Sequence, residues 1–102
     1  MNENINFSEL AGFEWDSGNK EKNKKKHRVD YRECEEVFLN KPLLIFQDTG
    51  HSKIETRYRA LGITNDKRKL FLSFTVRSHH VRIISARDQN RQERKTYETF
   101  GS

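Results

Sequence analysis

The residues of this chain with the clearest chemistry are four arginines in two segments that alternate like β-strands. Arg57 and Arg59 lie in one segment, and Arg82 and Arg87 lie in the other. Guanidinium groups bind phosphate through paired hydrogen bonds and stabilise the negative charge that develops on it during reaction. One arginine is most often a surface or ion-pair residue, but four in adjacent strands are difficult to explain by solubility alone. They indicate a surface for a polyanion such as RNA.

A second basic group precedes these strands. Neutralisation of phosphates by clustered cations releases counterions and favours binding of a polyanion. A solvated helix face and an acidic protein partner account for the same pattern equally well. The chain has a net charge of +5, and this group contains Lys20, Lys22, Lys24, Lys25, Lys26 and Arg28, with His27 between the last two.

Cleavage of an RNA backbone can proceed without a metal ion, and the residue types for it are present. A base removes the proton of the 2′-hydroxyl that attacks the adjacent phosphate, cations stabilise the developing charge, and an acid protonates the leaving oxygen. The chain has no CxxC, HExxH or glycine-rich phosphate motif, and the adjacent His79 and His80 point apart in a strand or turn. We therefore expect no metal and no cofactor, although spacing alone does not favour cleavage over RNA or protein binding.

Spacing along the strands indicates which of these side chains act together. Glu55 and Arg57 are two residues apart, so they share a face and form either a structural ion pair or part of a phosphate site. Arg82 and Arg87 are an odd number of residues apart, so an ideal strand sends them to opposite faces. One of the two then faces RNA and the other a helix, and together they are the strongest candidates for RNA contact.

Three further residues have competing structural and chemical interpretations. Lys26 and His27 end a predicted helix, where a cation interacts favourably with the helix dipole, and the same place is compatible with catalysis. Cys34 shares the apolar face of a predicted helix with Tyr31 and Val37, which favours a core role over a nucleophilic one.

The composition predicts one small domain with a thin core. The chain has 102 residues, of which 32% are hydrophobic and 34% are charged, so we expect a partner to contribute to its stability. The longest apolar run is Leu43–Phe46, whereas a membrane-spanning helix needs about 20 residues. The N-terminus lacks the basic and apolar segments of a secretory signal, and a single cysteine cannot form an internal disulfide. These features predict a cytoplasmic protein.

Local patterns divide the chain into a flexible lead-in over residues 1–12 and a single domain over residues 13–100. Asp16 is placed to cap a first helix over residues 16–27. Phe13 and Trp15 are expected to pack that helix onto a sheet.

The rest of the chain predicts an α+β domain with two N-terminal helices, a four-stranded antiparallel meander and a C-terminal helix. The second helix covers residues 30–39 and begins with a capping box of Asp30 and Glu33. The predicted strands and last helix are Leu43–Gln47, Glu55–Ile63, Lys69–Arg77, Val81–Arg87 and Asp88–Phe100.

Two motifs together resemble the BrnT toxins of bacterial type II toxin–antitoxin pairs. The first is Phe13-Glu14-Trp15-Asp16. The second is Arg82-Ile83-Ile84-Ser85-Ala86-Arg87, followed by Glu93-Arg94 and Tyr97. The resemblance runs from residue 13 to residue 98, about four-fifths of the chain. Positions between the two motifs agree in order: Asn23, Lys26, His27, Val29, Glu33, Val37, Phe38, His51, Ser52, Glu55, Arg57 and Gly62.

The resemblance implies a RelE-like ribonuclease fold, toxicity through RNA cleavage and translation arrest, and neutralisation by a BrnA antitoxin. It also implies a toxin–antitoxin complex that represses its own operon, in which the antitoxin contacts the DNA. A RelE-like ribonuclease has a functional tyrosine near its C-terminal end, which corresponds here to Tyr97, although packing is the more common role for a tyrosine. The candidate catalytic set is Lys26, His27, Glu55, Arg57, Arg82, Arg87 and Tyr97.

The chain departs from the BrnT pattern at two positions. Asn19 stands where lysine is expected, with Lys20 and Lys22 nearby, and Arg28 stands where glycine is expected. If that glycine ends a helix in the left-handed conformation, Arg28 strains or reshapes the helix end. Two other functions agree with the same residues: a non-catalytic module that binds RNA or the ribosome, and a co-repressor subunit that binds an acidic protein.

Overall fold

A computed structural model describes residues 10–15, 18, 20, 24, 26–51 and 55–100 of the chain. The elements are β1 (Gly12–Phe13), α1 (Tyr31–Leu39), β2 (Leu44–Gln47), a short 3₁₀ helix (Thr49–His51), β3 (Arg57–Ile63), β4 (Lys69–Arg77), β5 (His80–Asp88) and α2 (Arg91–Phe100). The strands form one sheet in the order β1-β5-β4-β3-β2, in which β1 and β5 are parallel and the other neighbours antiparallel. No helix within these residues is long and apolar enough to cross a membrane.

The predicted architecture of two N-terminal helices and a four-stranded antiparallel sheet is wrong. The complete helices among the described residues are α1 in the middle of the chain and α2 near its C-terminal end, and the sheet is mixed and five-stranded. Most of the predicted helix over residues 16–27, and residues 1–9 of the predicted lead-in, lie outside the described residues. The described positions of that helix that have helical backbone are Gly18, Lys20, Lys24, Lys26 and His27.

The strand that the sequence did not predict, β1, has only two residues, too few to produce an alternating pattern. Main-chain hydrogen bonds hold it to β5: the Ala11 amide donates to the His79 carbonyl at 2.7 Å, and the Glu14 amide donates to the Val81 carbonyl at 2.8 Å. Its existence therefore depends on contacts between residues that are far apart in the sequence. β1 begins at Gly12, the last residue of the predicted lead-in.

The aromatic residues of this segment pack against α1. The Phe13 ring lies 5.4 Å from the Phe38 ring, and the Trp15 ring lies 5.7 Å from the Tyr31 ring, both edge to face. The Trp15 indole also donates a hydrogen bond to Glu35 at 2.9 Å. These contacts join the start of the domain to the helix that covers the core.

The helix α1 begins as the sequence predicts. The Asp30 carboxylate accepts a hydrogen bond from the Arg32 amide, and the Glu33 carboxylate accepts one from the Asp30 amide, both at 3.1 Å. This capping box fixes the helix start. The helix buries Cys34 and Val37 against the sheet, and contact is so close that a Cβ at position 62 would collide with Val37.

The sheet has two different faces. The face beneath α1 carries the apolar core, which includes Ala60, Leu72, Phe74 and Ile83. The opposite face, here called the arginine face, carries Arg57, Arg59, Arg82 and Arg87. The helix α2 lies on the arginine side, since its glutamates form ion pairs with two residues of that face, Lys69 and Arg87. It covers one end of this face, and Arg59 is exposed beyond it.

A β-bulge places all four arginines on one face. In the pairing of β4 with β5, Ser73 lies opposite Ser85 but Phe74 lies opposite Ile83, so Ile84 is an extra residue. The prediction that Arg82 and Arg87 point to opposite faces is therefore wrong. The prediction assumed unbroken alternation from Arg82 to Arg87, and the extra residue shifts that alternation by one position.

Candidate functional site

The strand register arranges the arginine face in rows. Arg57 of β3, Thr75 of β4 and Arg82 of β5 are direct cross-strand neighbours. Two strand spacings separate the backbones of the two arginines, roughly 10 Å, a distance from which long side chains can converge on one phosphate. The next rows along the sheet, in the same strand order, are Arg59–Ser73–Ser85 and Leu61–Phe71–Arg87.

Glu55 lies two residues before the start of β3, beside the row of Arg57 and Arg82. It forms a bidentate ion pair with Arg77, with distances of 3.0 Å to Nε and 3.1 Å to Nη2. The hydrogen bonds from Arg77, followed by the charges of Arg57 and Arg82, lower the pKa of the Glu55 carboxyl below its usual value. The carboxylate is thus ionised at neutral pH, in the form that can accept a proton or orient a guanidinium.

Arg82 is held by the carboxylate of Glu14, which directly follows β1. Its Nη1 donates to the Glu14 carboxylate at 3.0 Å. Glu14 reaches this position because β1 pairs with β5, so the unpredicted strand supplies one of the acidic partners of the site. No local pattern relates two residues that are 68 positions apart.

Arg87 is held still more firmly. Its guanidinium donates to Glu93 at 2.7 and 2.9 Å and to the Asp88 carbonyl at 3.1 Å. It also stacks 4.1 Å above the centre of the Phe71 ring. Burial opposes ionisation of Glu93, but hydrogen bonds from Arg87 and from the Asn90 amide outweigh it and lower the pKa of its carboxyl.

Two residues that sequence reasoning missed lie beside these arginines. His80 is the cross-strand neighbour of Arg77, and its Nδ1 lies 2.8 Å from the Ser78 carbonyl, which orients the ring. The sequence did contain a signal for the placement of His80. It lies two residues before Arg82, and that spacing places both side chains on one face. Phe46 of β2 is 43% exposed and lies opposite Arg59, where an aromatic ring can stack on a nucleobase.

Lys26 and His27 lie at the other end of the sheet. The His27 carbonyl accepts a hydrogen bond from Arg68, which directly precedes β4, whereas the Glu55–Arg77 pair lies at the end of β4. A nine-residue strand separates these ends by roughly 26 Å. The structure therefore brings Glu55, Arg57 and Arg82 together but keeps Lys26 and His27 apart from them.

Tyr97 and Cys34 both lie in the interior. The Tyr97 hydroxyl donates to the Pro42 carbonyl at 2.6 Å, and burial raises the pKa of its phenol. Cys34 is completely buried, and this burial raises the pKa of its thiol to about 12. The prediction that Cys34 is a core residue is confirmed, and Tyr97 has the contacts typical of a packing residue.

In the parts of the chain that the structure describes, no three His, Cys, Asp or Glu side chains are grouped closely enough to hold a metal ion. A family model for the ribonuclease toxin BrnT of type II toxin–antitoxin systems matches residues 15–93. No curated protein matches the chain.

Proposed function

The chain belongs to the BrnT family of ribonuclease toxins of type II toxin–antitoxin systems, and from this premise we propose that it is a metal-independent endoribonuclease that arrests translation. The observation that carries the proposal is the row of Arg57 and Arg82 with the ionised Glu55 beside it. This arrangement offers two cations and one proton acceptor on one part of the arginine face. We place its action in the cytoplasm, where cellular RNA is its substrate.

In the proposed reaction, the 2′-oxygen of a ribose forms a bond to the adjacent phosphorus while the bond to the 5′-oxygen breaks. Arg57 and Arg82 stabilise the charge that accumulates on the non-bridging oxygens. Glu55 accepts the proton of the 2′-hydroxyl, and its lowered pKa makes it a weak base. The departing 5′-oxygen takes a proton from water. Because Arg87 lies two rows farther along the face, it contacts a flanking phosphate of the same strand.

Lys26, His27 and Tyr97 form the second candidate set. Lys26 is exposed, and Tyr97 is buried with its hydroxyl engaged. Their separation from Glu55 favours the arginine face over them. They become the better candidates if the arginines do not contribute to the maximal rate.

We further propose that a BrnA-like antitoxin covers the open part of the arginine face and stabilises the fold. Open arginines bind cellular RNA unless a partner occupies them, and the core beneath them is small. Anything that binds only the native state raises its apparent stability. The complex is expected to repress its own operon, with the antitoxin providing the DNA contacts.

The deciding experiment incubates the purified protein with RNA and excess EDTA. Cleavage that the antitoxin abolishes is the expected result. A mobility shift of the RNA without cleavage would instead indicate a non-catalytic RNA-binding module. Thermal melting with and without the product of the neighbouring gene tests the partner, and an unchanged melting temperature would contradict the proposed neutralisation.

A further inference from the structure

We propose that Glu93 is a positioning residue for RNA cleavage, which holds Arg87 so that one free edge of its guanidinium faces a phosphate. The inference rests on the proposed function and deepens it. It assigns a role to a carboxylate on α2 that is outside the candidate catalytic set. Three observations carry it: the donor geometry of Arg87, the contacts that fix its plane, and the separate role of Glu93 in capping α2.

The donor geometry of Arg87 leaves one edge available. A guanidinium has five N–H donors in a fixed plane. Both hydrogens of Nη1 are used, one by Glu93 Oε1 and one by the Asp88 carbonyl, and one hydrogen of Nη2 is used by Glu93 Oε2. Within the described residues, no acceptor takes the Nε hydrogen or the second Nη2 hydrogen. These two hydrogens point in the same direction and form the second fork of the group, which matches two oxygens of a phosphate.

The plane of that fork is fixed from two sides. Glu93 binds in the plane through two hydrogen bonds, and the Phe71 ring lies 4.1 Å from the guanidinium carbon beneath it. The Arg87 side chain is nevertheless 36% exposed, so a phosphate can reach it. A preorganised cation of this kind holds the flanking phosphate in one place, so the scissile phosphate stays aligned with Arg57 and Arg82.

Glu93 also caps α2, and the two roles can be separated by mutation. The Asn90 amide donates to Glu93 at 2.9 Å, and the Glu93 amide donates to the Asn90 side chain at 2.8 Å. A glutamine at the third helical position retains a capping box but carries no charge for Arg87. Glu93→Gln therefore weakens the ion pair and keeps the cap, whereas Asn90→Ala removes the side-chain cap and keeps the ion pair.

The test measures single-turnover cleavage of one RNA over a range of protein concentrations, below the melting transition of every variant. We expect Glu93→Gln to lower the maximal rate by about tenfold, because an RNA strand held loosely by Arg87 leaves the scissile phosphate poorly aligned with Arg57 and Arg82. The protein concentration at half-saturation should change less than twofold. Asn90→Ala should lower the melting temperature and leave the maximal rate unchanged. Arg87→Ala should lower the rate at least as much as Glu93→Gln.

Each other outcome overturns the inference. A normal rate for Glu93→Gln with a slow Arg87→Ala means that Arg87 acts without help from Glu93. Equal losses in Glu93→Gln and Asn90→Ala mean that the position of α2, and not the ion pair, controls the rate. A normal rate for Arg87→Ala removes Arg87 from the reaction, while the Arg57 and Arg82 variants still test the proposed function independently.

Discussion

Two arginines at the same end of the sheet, both in contact with Asp88, use their donors differently. All five N–H donors of Arg68 form hydrogen bonds within the protein, at 2.6 to 3.3 Å. They donate to the carboxylates of Asp88 and Glu33 and to the carbonyls of His27 and Arg28. Within the described part of the chain, Arg87 uses three of its five donors, on Glu93 and the Asp88 carbonyl. A saturated guanidinium has nothing left for a ligand, so the number of occupied donors distinguishes a structural arginine from one that can bind phosphate.

The surrounding charges differ in the same way. Arg68 has two carboxylate partners for one cation. On the arginine face, Arg57, Arg59 and Arg82 share their end of the sheet with Arg77, and the carboxylates that the structure describes there are Glu14 and Glu55. The first region is locally neutral or acidic and holds the fold together. The second keeps an excess of positive charge that suits a polyanion.

Replacing an arginine of the arginine face should have the largest effect. Arg82→Ala is expected to lower the maximal cleavage rate by about 10²-fold or more, because a fixed cation gains most in the transition state. Arg82→Lys should rescue poorly, since an ammonium does not reproduce the guanidinium fork. The measurement is single-turnover cleavage, with melting temperature as the folding check and exposed Arg91→Ala as the control.

The comparison fails if the rate does not depend on this face. If Arg57→Ala, Arg82→Ala and Arg87→Ala all keep the wild-type maximal rate, the site is wrongly placed. Lys26 and His27, with Tyr97, would then be the residues to test.

Replacing Arg68 should affect the stability of the fold instead of the cleavage rate. Arg68→Ala is expected to lower the free energy of unfolding by about 2 kcal/mol, because two main-chain carbonyls and two carboxylates lose a charged donor. The folded variant should cleave RNA at the wild-type rate when assayed well below its melting temperature. Denaturant unfolding and cleavage assays on the same preparation provide both values. A slow variant with unchanged stability would reverse the roles of the two regions.

A smaller effect on stability is expected from replacing Arg28, whose carbonyl accepts a hydrogen bond from Arg68. Arg28 has a φ of 55°, in the left-handed conformation that favours glycine, as the sequence comparison led us to expect. Arg28→Gly should raise the free energy of unfolding by up to about 1 kcal/mol, because it relieves this conformation. The main-chain carbonyl that accepts from Arg68 is kept. Arg28→Ala removes the same side chain without relieving the backbone and is the matched control; equal stabilisation by both would assign the gain to charge.

The smallest expected effect is on acid sensitivity. The pKa of the Asp88 carboxyl is lowered in the folded protein, mainly by hydrogen bonds from Arg68. Its contribution to stability is therefore present above the unfolded pKa of about 3.9 and is lost as the pH falls through the lower folded value. Asp88→Asn should show a shallower loss of unfolding free energy between neutral and strongly acidic pH. Identical pH profiles for the two proteins would mean that the pair contributes nothing, since solvent screens the partly exposed carboxylate.

Local patterns predicted the elements that local forces create. The capping box of α1 and both ends of β4 are correct, because each depends on a few neighbouring residues. The short strand β1 was missed because a parallel pair with β5 defines it. Each predicted strand other than β4 differs from the structure by one or two residues at an end, where turns and caps compete with pairing.

The site was less predictable than the fold around it. The types of residue and their placement on strands were available from the sequence. The partners were not: Glu14 with Arg82 and Glu55 with Arg77 join residues from distant segments. The Arg68 cluster was also missed, since its acceptors come from three parts of the chain. A local signal for the bulge did exist, because adjacent Ile83 and Ile84 interrupt the alternation of β5.

The bulge at Ile84 determines which face of the sheet each later side chain of β5 occupies. Every side chain of β5 after it, including Ala86 and Arg87, keeps its proper face only while the extra residue is present. Substitution of Ile84 would keep the extra residue and therefore the faces of these side chains. Deletion of Ile84 would turn Ala86 outward and place Arg87 in the apolar core. Variation in chain length at this point is therefore far more restricted than variation in residue type, and the five-residue interval between Arg82 and Arg87 belongs to the architecture of the sheet.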